Sequence, residues 1–183
     1  GPWARQKLDG LEAYLNAYTT ALKNQSFELV FIDAFAGAGK SKIRDAWSGA
    51  DEDDILLLDD DFLLSEEQFI EGSPSRALRV DNPCDKHFFF DMDAGRASLL
   101  NDLKSEFPNR NIQVTVGDSN SLIRSLTPSL DRRLTRGVAF LDPYGPNLEW
   151  NTIEALGKTG KFEVIINFPL GMAINRLITK NGD

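Results

Sequence analysis

Phe31-Ile32-Asp33-Ala34-Phe35-Ala36-Gly37-Ala38-Gly39-Lys40-Ser41 decides the fold. An apolar run from Leu29 to Ile32 ends in an acid and opens into a turn of small residues. That is how a Rossmann-like strand hands over to a loop that approaches a nucleotide-like cofactor. The same letters fit a relaxed phosphate loop, with Ala34 in the first glycine position and Gly39-Lys40-Ser41 at its end. One reading takes a methyl donor, the other a nucleoside triphosphate.

Working outward, Leu8, Leu11, Leu15, Tyr18 and Leu22 recur at three- and four-residue steps, the apolar face of a long helix ending near Lys23-Asn24. Residues 42–72 are irregular, with acidic runs at Asp51–Asp54 and Asp59–Asp61, and read as an excursion that is partly loop. Gly72-Ser73-Pro74 reads as a helix entry, with Ser73 capping and Pro74 in the first turn. His87–Asp91 is an aromatic strand ending in an acid, and Asp93 caps the helix that follows, carrying Leu99, Leu100, Leu103 and Phe107. Ile112–Val116 is a strand running into Gly117-Asp118, and 119–126 a short helix. Val138–Asp142 is a strand, 151–156 a helix, Val164–Phe168 a strand and Leu170–Ile178 a helix.

Strands alternating with helices call for an α/β fold, an open and mainly parallel Rossmann-like sheet flanked by helices. In such a sheet the carboxyl ends of the strands form the ligand crevice. Residues 3–183 read as one domain, with Gly1-Pro2 set aside as a protease-cleavage scar.

The formal charge of −8 argues against a uniformly nucleic-acid-binding surface, while leaving room for a local basic face such as Arg124, Arg132, Arg133 and Arg136. One cysteine, Cys84, excludes an internal disulfide and a cysteine-rich zinc site, and favours a reducing cytoplasm. No apolar run is long enough to span a bilayer. His87 stands at the start of its strand, away from the crevice, and reads as structural; Trp150 reads as packing.

Three features favour the methyl donor. The segment after Ser41 makes a short, badly charged helix, where a phosphate loop needs a stable one facing the anion. Asp33 stands beneath the loop, where a carboxylate suits hydroxyls or a cation better than a polyphosphate. Asp91 and Asp118 end the next two strands; the first suits ribose hydroxyls and the second an adenine amino group or a helix cap. Three acids on successive strand ends fit cationic S-adenosylmethionine and repel ATP. The cofactor set is then Asp33, Phe35, Ala36, Gly37, Gly39, Asp91, Asp118 and Ser119. Asp142-Pro143-Tyr144-Gly145 lies beside the reacting methyl: Asp142 accepts hydrogen bonds from an amino group, Pro143 fixes the turn, and Tyr144 stacks on a planar base. Asn167-Phe168-Pro169 ends the fifth strand on the same rim.

The chain resembles the three-Cys-motif partner (TcmP) proteins. The resemblance is carried by Tyr14-Leu15-Asn16-Ala17-Tyr18, Ile32-Asp33-Ala34-Phe35-Ala36-Gly37-Ala38-Gly39, Gly72-Ser73-Pro74-Ser75-Arg76-Ala77-Leu78, Phe140-Leu141-Asp142-Pro143-Tyr144-Gly145 and Phe168-Pro169-Leu170-Gly171-Met172, in that order. It implies a class I methyltransferase type of Rossmann-like domain and a partner protein carrying a three-cysteine motif; a complete sheet of that type has two more strands, so against this resemblance the domain reads as cut short at its C-terminus. Asp142-Pro143-Tyr144-Gly145 is also similar to the Asp-Pro-Phe-Gly of tRNA guanine dimethyltransferases and the Asp-Pro-Pro-Tyr of adenine amino-methyltransferases. That similarity implies an exocyclic nitrogen of a nucleic-acid base as the target. Lys40-Ser41 departs from the methyltransferase pattern and keeps two other readings open, a phosphate-loop nucleotide binder and a non-catalytic module of the same fold.

Overall fold

In the computed structural model, residues 2–37, 40–41, 70–130, 133–143 and 147–167 are described. Helix α1 (Pro2–Leu22) precedes strand β1 (Glu28–Asp33). The short strands β2 (Lys40–Ser41) and β3 (Ile70–Glu71) bracket the excursion and pair antiparallel. Then follow α2 (Ser73–Arg79), β4 (Lys86–Asp91), α3 (Ala94–Glu106), β5 (Ile112–Val116) and α4 (Ser119–Leu126). A 3-10 turn (Thr127–Ser129), β6 (Thr135–Leu141), α5 (Trp150–Thr159) and β7 (Phe162–Ile166) complete the order.

Five strands form one sheet in the order β5-β4-β1-β6-β7, every pair parallel. The chain runs outward from β1 through β4 to β5, then returns to β1's other side with β6 and β7. This is the Rossmann-like α/β arrangement expected from the alternation, and its switch point falls between β1 and β6. The central strands are apolar on both faces because helices cover both. Phe31, Phe89 and Phe140 pack on Leu11 and Leu15 of α1, Ala77 and Leu78 of α2, and Leu100 and Leu103 of α3. Val30, Ile32, Phe88, Phe90, Ala139 and Leu141 pack on the opposite side with Ile123 of α4 and Leu156 of α5.

Several boundaries differ from the sequence reading. At α2 the N-cap is Gly72, and Ser73 is already helical. Pro74 in the first turn suits this start, and the buried Ser73 hydroxyl turns toward Asp33 instead. Strand β6 begins at Thr135 and ends at Leu141, so Asp142 stands just past the strand. Strand β7 starts at Phe162, because Gly160 closes α5 in the left-handed conformation and Phe162 pairs at once with Gly137. Trp150, expected to pack, is 74% exposed. The interior beneath that end of α5 is already filled by the Asn120 amide, which binds the Glu149 amide and the Thr152 hydroxyl. Leu99 is also exposed, since Ala97, Leu100 and Leu103 form the buried stripe of α3. The helix expected at 170–178 and the acidic runs of the excursion lie outside the described residues. Among the described residues no helix is long and apolar enough to cross a membrane.

Candidate functional site at the carboxyl ends of the strands

Three aspartates stand on three neighbouring strand ends. Asp33 pairs in register with Phe89 on β4 and with Phe140 on β6. Asp91 and Asp142 each lie two residues beyond those partners. The offset is about 7 Å along the strand and under 5 Å across. Asp33 is fully buried, between two phenylalanines, and neither carboxylate oxygen closes a hydrogen bond of good geometry among the described residues. Burial pushes its acid up to about 7; nearby Asp142 adds to the shift, while the Ser73 hydroxyl, the Phe35 amide and Lys7 oppose it. A buried carboxylate so placed is ready to ionise when a positive group arrives.

The loop after β1 is held over the switch point from both sides. The Ala34 amide donates to the Phe140 carbonyl at 3.1 Å, and the Ala36 amide to the Phe90 carbonyl at 3.0 Å. The Ser119 hydroxyl donates to the Ala34 carbonyl, tying the start of α4 to the same loop. Gly37 turns with φ 62°, a conformation that favours glycine, and leaves bare backbone at the rim. Ala36 and Ser119 are buried supports of this loop, and Phe35 is half-buried beside it. Gly39 lies outside the described residues.

Asp91 keeps its place at the tip of β4, and Asp93 takes the capping role, accepting from the Arg96 amide at 2.7 Å. The Asp91 carboxylate is engaged within the chain. Arg96 Nε lies 3.1 and 3.0 Å from its two oxygens, Arg96 Nη2 lies 2.8 Å from Oδ1, and the Asp93 amide 2.7 Å from Oδ1. Asp118 is the N-cap of α4, bonded to the Asn120 and Ser121 amides and the Ser121 hydroxyl. The Ser121 hydroxyl above all holds the Asp118 acid below its ordinary range.

On the other side of the switch point, Asp142 accepts from Lys7 Nζ on α1 and from Asn167 Nδ2 after β7, each at 2.5 Å. Pro143 is buried; Tyr144 lies outside the described residues. A cleft of about 340 Å³ opens beside this group, lined by Lys7, Leu11, Tyr14, Phe140, Ile165 and Asn167 among others. Lys40 and Ser41 are extended and pair with Glu71 and Ile70. A phosphate loop delivers its lysine and hydroxyl into the first turn of a helix, and that geometry is not found at these two residues. Of the arginines read as a local basic face, Arg124 pairs with Glu149 and Arg136 stacks on Phe27, while Arg132 lies outside the described residues.

No family model and no curated protein matches the chain. A solved structure does. Protein LPL1258 from Legionella pneumophila str. Philadelphia 1, described by the family model DUF519, superposes with a TM-score of 0.60 at 19% identity. The match covers 94% of this chain and 73% of that one. At this identity the likeness is one of fold.

Three residues were not anticipated. Lys7 and Arg96 neutralise the flanking aspartates, and Asn120 binds the segment that follows Asp142. Arg96 had a faint signal, a cation in the first turn of the helix after a strand-tip acid. Lys7 had none, being 135 residues from its partner. His87 is buried in β4 near Phe31 and Phe89, and burial lowers its pKa to about 4, consistent with a structural residue. Cys84 is buried, its thiol pushed up to about 12, which is not the state of a nucleophile. Among the described residues no cluster of His, Cys, Asp and Glu could hold a metal ion.

Proposed function

We propose that this chain is an S-adenosylmethionine-dependent methyltransferase acting on an exocyclic nitrogen of a nucleic-acid base. The observation that carries the reading is the placement of Asp33: a buried carboxylate at the switch point, flanked on neighbouring strands by Asp91 and Asp142. The Asp33 carboxylate suits a cationic sulfonium nucleoside better than a polyphosphate, the charges of Asp91 and Asp142 being balanced by Arg96 and Lys7. In this reading the loop from Ala34 to Gly37 offers bare backbone to the cofactor, and Asp91 accepts the ribose hydroxyls when Arg96 moves aside. Asp142 takes a hydrogen bond from the acceptor amine. Catalysis is then mainly positioning, holding the amine in line with the methyl group without a strong base. The resemblance to the TcmP proteins supports the methyltransferase type, and the similarity of the Asp142-Pro143 step to base amino-methyltransferases supports the choice of an exocyclic nitrogen.

Calorimetry tests it. S-adenosylhomocysteine gives a saturable heat, Mg-ATP gives none, and S-adenosylmethionine binding releases a proton near pH 7. The proton is read from heats in two buffers of different ionisation enthalpy, and arises because the arriving cation ionises Asp33. Absence of heat with either S-adenosyl compound at millimolar concentration overturns the reading, as does saturable Mg-ATP binding. Transfer of labelled methyl to mixed DNA and RNA then identifies the acceptor.

A further inference from the structure

Asp142 leaves the end of β6 and is met from two elements distant in sequence. Lys7 Nζ, projecting from α1, sits 2.5 Å from Oδ2, and the two side chains are 22% and 25% exposed. Asn167 Nδ2 sits 2.5 Å from Oδ1, and the Asn167 backbone is itself fixed by its amide donating to the Leu141 carbonyl at 2.9 Å. Lys7 and Asn167 also line the cleft beside the sheet. The third charged group nearby is Asp33, whose titration feels both Asp142 and Lys7.

We propose that Lys7 is a positioning residue of the acceptor end of the site. With Asn167, it holds the Asp142 carboxylate in one orientation, with its charge balanced, so that the free lone pairs face an incoming amino group. Each carboxylate oxygen has room for about two hydrogen bonds. Lys7 takes one on Oδ2 and Asn167 one on Oδ1, leaving each oxygen able to accept another. A carboxylate held at two points has already lost its rotational freedom before a substrate binds. Beside the second carboxylate of Asp33, the ammonium of Lys7 also keeps like charge from driving Asp142 away from the rim. Helix α1 thereby becomes part of the site, in addition to the five strand ends. The purpose assigned to Lys7 rests on the methyltransferase reading; the geometry does not.

The test uses nuclear magnetic resonance on the full chain and needs no known substrate. In the wild type, one side-chain amide proton of Asn167 resonates downfield, bonded to Asp142. Lys7→Met moves it upfield, and Lys7→Arg restores it. Lys7→Met also raises the midpoint of the Asp33 carboxyl above about 7, because Lys7 lowers it, and Asp142→Asn depresses that midpoint, because Asp142 raises it. A purely structural lysine would leave the Asn167 signal in place, whereas the Asp33 midpoint reports the loss of the nearby charge. If the Asn167 signal stays at its wild-type position in Lys7→Met, the proposal fails. Should Lys7→Met not fold, Lys7→Gln is read in the same way. Parallel calorimetry with S-adenosylhomocysteine separates the two ideas. Shifted signals with no heat keep Lys7's role and discard the methyl donor; heat with unmoved signals does the reverse.

Discussion

The Arg96 guanidinium grips both oxygens of Asp91, so the acid at the tip of β4 is occupied before any ligand arrives. The Asp91 side chain is 5% exposed and the Arg96 side chain 51%. The acid is therefore fixed, while the cation can swing outward into water.

Removing Arg96 has two opposed consequences. Arg96→Ala leaves the Asp91 carboxylate with the Asp93 amide as its remaining partner among the contacts described, and lowers stability by about 1–3 kcal/mol. Under the proposed function the same change frees the edge that takes the ribose, and S-adenosylhomocysteine binds about fivefold more tightly, about 1 kcal/mol, the net worth of one ordinary hydrogen bond. Arg96→Lys recovers part of the stability, since an ammonium cannot reproduce the forked contact. Chemical denaturation and calorimetry on the three proteins check both directions.

Asp33 and His87 pull stability in opposite directions with pH. Burial raises the Asp33 pKa from 3.8 to about 7, so the native state holds a proton that the unfolded chain has lost, and stability falls as pH rises through that window. Burial lowers the His87 pKa from 6.5 to about 4, so the unfolded chain binds the extra proton, and stability rises with pH up to about 6.5. Each contributes a slope of about 1.4 kcal/mol per pH unit where fully expressed. The two nearly cancel between pH 5 and 6.5. Asp33→Asn should therefore become more stable as pH rises over that range, and His87→Leu less stable. Above pH 6.5 the wild type loses stability that Asp33→Asn retains. Urea denaturation at half-unit pH intervals reads both slopes, and parallel curves for the two variants would refute the assignment.

Asn120 carries the segment between Asp142 and α5. Its Oδ1 accepts from the Glu149 amide at 3.0 Å and the Thr152 hydroxyl at 2.8 Å, and its Nδ2 donates to the Asn147 carbonyl at 2.8 Å. Asn120→Ala strands these groups in a largely buried setting and costs about 2–4 kcal/mol. Faster hydrogen exchange at the Glu149 amide distinguishes this local release from a general loosening of the sheet.

The sheet was legible because its central strands are short apolar runs that each end in an acid or a glycine turn: Leu29 to Asp33, His87 to Asp91, Val138 to Asp142. Burial on both faces produces that pattern, and Asp33 and Asp91 close their strands. Ends set by pairing were not legible. Thr135 joins β6 because it lies opposite Glu28, and Phe162 joins β7 because it lies opposite Gly137; neither partner is visible from local composition. Lys40-Ser41 had two readings because residue types alone do not fix backbone conformation; the pairing with Ile70-Glu71 makes the backbone there extended. Trp150 misled because apolar character argues for burial while position argues against it. Lys7 was out of reach, since only the folded sheet brings it to Asp142.

Gly137 tests how tightly the acceptor side of the sheet depends on its packing. It sits within β6, opposite Val30 of β1 and Phe162 of β7, and its carbonyl accepts from the Tyr18 hydroxyl at 3.3 Å. A Cβ at this position would collide with the Val30 carbonyl oxygen and would meet the Phe162 ring at 2.5 Å. The ring can shift; the carbonyl belongs to the central strand and cannot. Gly137→Ala must therefore separate β6 from β1 at the strands that carry Asp142 and Asp33, at a cost of about 2–4 kcal/mol. Gly157→Ala, in α5 with nothing within 4 Å of the new Cβ, should instead stabilise by about 0.5–1 kcal/mol, because alanine loses less backbone freedom on folding. Thermal and urea denaturation of the pair give a sign difference that composition alone would not produce. Equal destabilisation of the two variants would mean that β6 does not lie against β1 as closely as the register requires.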